Sequence, residues 1–279
     1  MRIGLFTLLA LMAFAANSVL CRLALDQGAM DAASFTMIRL LSGAVMLLII
    51  LRFQPHDKIG AVSPSWWSSF LLFVYAASFS YAYILLDTGT GALILFATVQ
   101  ITMISYTVLS GNRLPILSWL GLLLALFGFV YLMLPDVNTP SFQGLILMSI
   151  SGVAWGFYTL RGQQSLSPLR DSAYNFTRTI PLALVLLFFV MPAIRMDVES
   201  VVYAVLSGAL ASGLGYTLWY MALRGLQTLQ AAVLQLLVPL IAAGGGVLFV
   251  AEPISFRLMI ASVFILGGVL LVILQRNET

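Results

Sequence analysis

Apolar residues run along this chain in long stretches broken by short polar interruptions. Runs of spanning length occur near residues 3 to 22, 32 to 52, 66 to 86, 90 to 110, 116 to 134, 143 to 161, 173 to 191, 202 to 222, 228 to 250 and 256 to 274. About 20 residues of helix cross the hydrocarbon core of a bilayer, so each run predicts one membrane helix. The interruptions carry turn residues: Asp26-Gln27-Gly28, Gln54-Pro55-His56-Asp57-Lys58, Asp87-Thr88-Gly89, Gly111-Asn112-Arg113, Pro135-Asp136, Ser167-Pro168 and Pro192. The fold class expected is an all-α integral membrane protein of ten transmembrane helices. Arg2 and the run from Ile3 to Ala16, with Ala13-Phe14-Ala15, imitate a secretory leader. The segment is expected to stay as the first helix, because an internal repeat needs it.

That repeat emerges when the chain is slid along itself by 139 or 140 residues. Gly4-Leu5 then meets Gly144-Leu145, Phe35 and Arg39 meet Tyr174 and Arg178, Tyr81 meets Tyr220, Ala92 meets Ala231, Val99 meets Val238 and Gly128 meets Gly268. The near-constant offset predicts two five-helix units, 1–138 and 139–279. Five is odd, so the second unit enters from the opposite face and is inverted, the arrangement on which alternating access is commonly built.

Composition narrows the function. The chain has 279 residues, 61% hydrophobic and 8% charged, against about a quarter charged in soluble domains. Ten spans of about 20 residues leave roughly 80 for loops and tails. No connection is long enough for a nucleotide-binding domain, a ligand-binding ectodomain or a nucleic-acid-binding module. The single Cys21 has no second thiol with which to pair. Arg2, Arg52, Lys58, Arg113, Arg161, Arg170, Arg224 and Arg276 fall on one side, and Arg22, Arg195 and Arg257 on the other. By the positive-inside rule both termini are expected in the cytoplasm.

Several motifs lie within this frame: Ala154-Trp155-Gly156, an arginine early in helices 2 and 7 (Arg39, Arg178), Tyr220-Met221-Ala222-Leu223, Val238-Pro239, and Ala251-Glu252-Pro253. Over nearly its whole length the chain resembles the bacterial drug/metabolite transporter superfamily in its ten-helix form with two EamA-type domains. The first half departs from the pattern, with Gln100 where the second has Pro239 and Asn112 where it has Glu252. The resemblance implies an inner-membrane carrier, an exporter of amino acids, other metabolites or drugs.

Candidate chemistry is sparse. Acidic groups and histidine are nearly absent at membrane depth, where an ionisable residue usually signals ion coupling. Arg39 and Arg178 are expected to close helix ends of the opposite repeat or to snorkel to headgroups, and Glu252 to serve in a turn or helix-end contact. All three are structural or coupling candidates. With no membrane-depth lysine, strongly anionic solutes such as sugar phosphates are disfavoured.

The substrate-binding candidates are aromatic, hydroxyl and amide residues: Asn17, Tyr75, Ser78, Phe96, Gln100, Trp155, Tyr158, Tyr216, Trp219 and Gln235. Such a set suits a concave, mostly apolar pocket for an amino-acid-sized or drug-like solute. Ser207, Ala211 and Gly215 read as a small-residue ridge, and Gly244-Gly245-Gly246 as either a hinge or a close contact. No cofactor or metal is expected; the partners are a small molecule and the lipid bilayer, with one chain as the working unit. A flippase for a lipid-linked solute is the alternative, ahead of a channel or an intramembrane enzyme. The enzyme lacks a zinc motif, a histidine base or an aspartate pair.

Overall fold

A computed structural model describes residues 2–53, 65–109, 111, 116–132, 140–162, 165–190, 194–223, 225–226 and 234–275. Among them are ten helices: α1 (Arg2–Leu25), α2 (Ala32–Phe53), α3 (Trp66–Tyr83), α4 (Thr88–Leu109), α5 (Ile116–Leu132), α6 (Phe142–Gly162), α7 (Pro168–Val190), α8 (Val198–Leu223), α9 (Val238–Phe249) and α10 (Phe256–Gln275). His56, Asn112 and Arg113 lie outside the described residues.

The exterior is the apolar side of this molecule. Leu8, Val45, Phe188, Phe189, Leu248 and Val263 are exposed, whereas Ser18, Thr36, Ser80, Ser151, Thr159 and Ser212 are fully buried. A soluble protein could not expose so much contiguous hydrocarbon. A bilayer reverses the preference: lipid solvates the leucines, and polar side chains turn inward, where Thr36 bonds Ser80 and Ser151 bonds the Tyr75 carbonyl. Six helices are long and apolar enough to cross a membrane, α1, α2, α6, α7, α8 and residues Thr88–Tyr106 of α4, and shorter apolar helices accompany them.

Helix packing follows one pattern in both halves. α1 packs against α8 and α9, while α6 packs against α3 and α4; α2 meets α8 as α7 meets α3. Three further pairs, α2 with α7, α4 with α9 and α5 with α10, join equivalent helices of the two halves. Advancing every helix by five positions turns this set of neighbours into itself. The α5–α10 pair stands to one side, drawn tight at glycines: a Cβ on Gly128 would lie 2.7 Å from Ile265, and Gly268 approaches the Gly121 carbonyl.

Two expectations about α8 and α9 change. Ser207–Leu214 in α8 is a π-helix, with α-helical turns before and after it. Its wider turn departs from the regular spacing on which the ridge of Ser207, Ala211 and Gly215 was read. Of that ridge Gly215 makes a close approach, where a Cβ would lie 2.7 Å from Ala13, and Gly208, outside it, comes against the Arg39 carbonyl and Ser42. Of the span expected near 228–250, residues 228–233 lie outside the described residues; residues 234–235 are helical, a turn follows, and α9 begins at Val238. Pro239 stands in its first turn, where the missing amide hydrogen costs nothing. The helix runs unbroken through Gly244-Gly245-Gly246, and a Cβ on Gly246 would lie 2.7 Å from a Glu252 carboxylate oxygen. Close contact is therefore what that glycine permits.

Candidate functional site

α1, α2, α3, α6 and α8 converge on one buried cluster. At its centre is Arg39, expected to seek a helix end or the headgroups and found doing neither; it is 1% exposed. Its Nε donates to Ser212 Oγ at 3.0 Å, and its Nη2 to Tyr75 Oη at 3.1 Å and Tyr216 Oη at 2.8 Å. The guanidinium carbon also lies 5.2 Å from the Tyr75 ring centroid and 4.7 Å from that of Phe79. These faces supply the negative quadrupole that favours a buried cation. The correction has a local cause: Gly208 brings the α8 backbone so near that of Arg39 that the side chain meets α8 hydroxyls before any route to lipid.

The hydroxyls extend into a network. Tyr216 Oη donates to Tyr75 Oη at 3.0 Å, and Asn17 Nδ2 donates to the same oxygen at 3.3 Å. Asn17 Oδ1 accepts from Ser207 Oγ at 2.6 Å and Ser212 Oγ at 3.5 Å, so both ends of this amide are engaged. Three donors thus converge on a phenol oxygen that has two lone pairs.

A wall of rings abuts this network. The Trp155 ring centroid lies 4.5 Å from Tyr216, 4.8 Å from Tyr75, 5.5 Å from Tyr158 and 5.7 Å from Phe14. Phe14 also meets Phe96, Tyr216 and Trp219. Of the sequence candidates, Asn17, Tyr75, Phe96, Trp155, Tyr158, Tyr216 and Trp219 are therefore brought together. Instead of the open pocket expected, their rings pack against one another. Trp155 Nε1 and Trp219 Nε1 are buried without a hydrogen-bond acceptor among the described residues.

The other candidates stand differently. Ser78 Oγ bonds back to the Val74 carbonyl at 2.7 Å within its own helix, a way of satisfying a hydroxyl without reaching a neighbour. Gln100 is buried in α4. Gln235 is fully buried, and neither end of its amide has a partner among the described residues. Arg178 holds its guanidinium 5.2 Å from the exposed Trp66 ring.

Glu252 occupies a second polar site, at the end of the bundle where α1 and α3 finish and α4 begins. Its carboxylate accepts from Arg22 Nε at 2.8 Å and from the Thr88 backbone N–H at 2.8 Å, capping α4. Arg22 Nη1 donates to the Tyr83 carbonyl at 3.1 Å. Ala251, at φ 57°, turns the chain so that Glu252 faces back into the bundle; that left-handed conformation costs a non-glycine residue about 1 kcal/mol. Asp87 is exposed at the rim beside this pair. Desolvation by its neighbours, then the nearby Glu252 carboxylate, raise its pKa above the usual carboxylate range, and Arg22 opposes them. A further apolar cleft of about 430 Å³ between α4, α9 and α10 is lined by Gly89, Pro239, Ala243, Leu258 and Leu266.

Phe14, Phe79, Ser207 and Arg22 are structural partners that the sequence reading passed over. Phe14 is an ordinary member of an apolar run, and Arg22 was read only as a loop charge. No local signal marks which of many phenylalanines faces the centre. For Ser207 the signal was present but read as packing.

Comparison with known proteins adds to this geometry. Residues 142–274 match the EamA-like transporter family. The chain is 48% identical over 272 residues to an uncharacterized protein of Pseudomonas aeruginosa, covering 98% of this chain and 94% of that one. It is 22% identical over 250 residues to the uncharacterized transporter YoaV of Bacillus subtilis, covering 84% and 85% of the two chains. A protein of known crystal structure superposes with a TM-score of 0.69 at 19% identity, covering 98% of this chain and 99% of that one.

Proposed function

The chain belongs to the EamA-like transporter family of the drug/metabolite transporter superfamily, and from that premise we propose a secondary carrier for small metabolites working by alternating access. It is a multi-pass membrane transporter. The finer reading is an exporter in the bacterial inner membrane, acting as one chain with both termini in the cytoplasm. Two units, 1–138 and 139–279, are inverted relative to one another and rock about the central cluster.

The observation that carries this reading is the convergence of both halves on Arg39. Tyr75 and Arg39 come from the first unit, Tyr216 and Ser212 from the second, and they bond directly. A solute held among them would touch both units, so its binding energy could bias their relative motion. Asn17, Tyr75, Trp155 and Tyr216 form the heart of the proposed site, with Phe96, Tyr158 and Trp219 behind them. Arg22 and Glu252 close the bundle end assigned here to the cell exterior.

A flippase for a lipid-linked solute is the second reading, and one observation favours it. The cleft between α4, α9 and α10 is almost wholly apolar, and Leu240, Met259 and Val263 on its rim are exposed, as an acyl chain entering from the bilayer would require.

Counterflow in proteoliposomes tests the carrier. A solute preloaded at high concentration should accelerate entry of its labelled copy; a channel gives no such trans-stimulation. Movement of a fluorescent lipid between leaflets, without exchange of soluble metabolites, would favour the flippase.

A further inference from the structure

Arg39 is a buried cation that hydrogen-bonds hydroxyls and no carboxylate among the described residues. Its bonds go to Tyr75, Tyr216 and Ser212, and its Nη1 has no hydrogen-bond partner among the described residues. Nor, among the described residues, does an acid lie deep in a span where it could turn inward to meet it. Of the ten acidic residues, Asp26, Asp31, Asp87, Asp197, Glu199 and Glu252 lie in connections or at helix ends, and Asp171 lies in the first turn of α7. Asp57, Asp136 and Glu278 belong to stretches outside the described residues, between spans or at the C-terminus. A guanidinium at membrane depth without a counter-charge is strongly disfavoured, and it persists where function requires it.

The surroundings share the same bias. Arg39, Asn17 and Tyr216 all direct donors at Tyr75 Oη, and Trp155 Nε1 in the adjoining ring wall has no acceptor among the described residues. Donors outnumber acceptors around a fixed positive charge, which is the composition of an anion site. One guanidinium balances one negative charge. The walls of Phe14, Trp155 and Tyr216 are apolar and suit a hydrocarbon or aromatic body.

We infer that the central site takes the carboxylate of a small organic monoanion with an apolar body, with Arg39 as its charge partner and the Tyr75 and Tyr216 hydroxyls as further donors. This deepens the carrier reading and rests on it for the transport step only. Binding cancels the site's charge, which offsets the cost of holding an isolated cation in a low-dielectric centre. Phosphates and dicarboxylates would bring charge that one arginine cannot balance.

The test is ligand-induced stabilisation of the purified full-length chain at fixed ionic strength. The probes are apolar monocarboxylates from butyrate through 3-phenylpropionate to indole-3-acetate, 3-phenylpropionamide as neutral twin, phenethylamine, phenylalanine and sodium chloride. At least one carboxylate should raise the melting temperature at about 10 mM or below. The amide and the amine should not. Stabilisation by phenylalanine as well would support the site and identify zwitterions as ligands. Arg39→Met should raise the melting temperature of the ligand-free protein, because it removes an unpaired buried charge, and weaken the carboxylate at least about tenfold. If that variant does not fold, Tyr216→Phe keeps the ring and should still weaken the carboxylate several-fold.

Equal stabilisation by acid and amide, full stabilisation by chloride alone, or no response to any carboxylate would overturn the inference. So would unchanged carboxylate binding in Arg39→Met. Counterflow separates the two ideas: exchange of a neutral or cationic solute alone would sink the carboxylate site and leave the carrier standing. Carboxylate binding without counterflow would do the reverse.

Discussion

Arg39 and Arg178 occupy corresponding positions when the two halves are superposed at 139 residues, yet the fold uses them differently. Arg39 is sealed among tyrosines and a serine at the bundle centre, whereas Arg178 is partly exposed and lies over the ring of Trp66 at the start of α3. Their neighbours account for the difference. Arg39 faces α8, where a π-helical segment and Gly208 bring Ser212 and Tyr216 within reach. The helix corresponding to α8 in the first half is α3, which is α-helical from Trp66 to Tyr83 and has Ser69 where the offset puts Gly208. Two arginines at one offset along the chain thus meet different fates, and local backbone geometry made one of them central.

The largest expected effect comes from removing the close approach that creates this asymmetry. Gly208→Leu would drive a side chain into the Arg39 carbonyl and Ser42. Overpacking between two backbones should cost about 3 kcal/mol or more and leave little monodisperse protein by size-exclusion chromatography. A well-folded Gly208→Leu protein would mean that the contact is not what confines Arg39.

The aromatic wall comes next. Trp155→Ala removes a buried ring from among four others and should cost about 3 to 5 kcal/mol, read as a large fall in melting temperature. It therefore cannot separate binding from folding, and Tyr216→Phe is the cleaner probe. That exchange keeps the ring and should cost about 1 kcal/mol of stability while slowing counterflow. Normal transport in Tyr216→Phe would remove the hydroxyl network from the mechanism.

The two arginines can be compared directly in counterflow. Arg39→Met should abolish exchange, whereas Arg178→Met should lose a cation–π contact with Trp66, about 0.5 to 1 kcal/mol at a partly exposed site, and keep most of its rate. Equal losses would mean that the halves are functionally equivalent.

The smallest effect belongs to the bundle end, where charge is balanced instead of isolated. The Asp87 carboxyl is raised by desolvation and by Glu252, so the folded protein holds its proton more tightly than the unfolded chain does. Stability should then fall as pH rises through that raised value and be fully relieved below the unfolded value. Asp87→Asn should melt slightly higher than wild type near pH 7, the gap closing in acid. A gap that widens in acid would reverse the assigned sign.

Much of this was legible in the sequence because lipid solvation acts on composition. Long apolar runs must become helices that satisfy their own backbone, and the breakers between them must lie near the faces. Arg22 and Glu252 sit at such breaks, so their presence at a bundle end could be read, though their pairing 230 positions apart could not. Arg39 was harder. Its depth along α2 was readable, but its direction depends on a π-helical segment more than 160 residues later that no local pattern announces. Phe14 was harder still, since a phenylalanine facing lipid and one facing the core have the same neighbours in sequence.

By itself, then, the sequence determined that the chain is a membrane bundle of helices and that few charges lie deep within it. These follow from burial energies summed over whole segments, which depend on composition more than on any partner. Only the tertiary structure decided that Arg39 lies at the centre among hydroxyls and that Glu252 caps α4. Such contacts depend on directions and distances of an ångström or two between helices remote in the chain, and local sequence does not encode them.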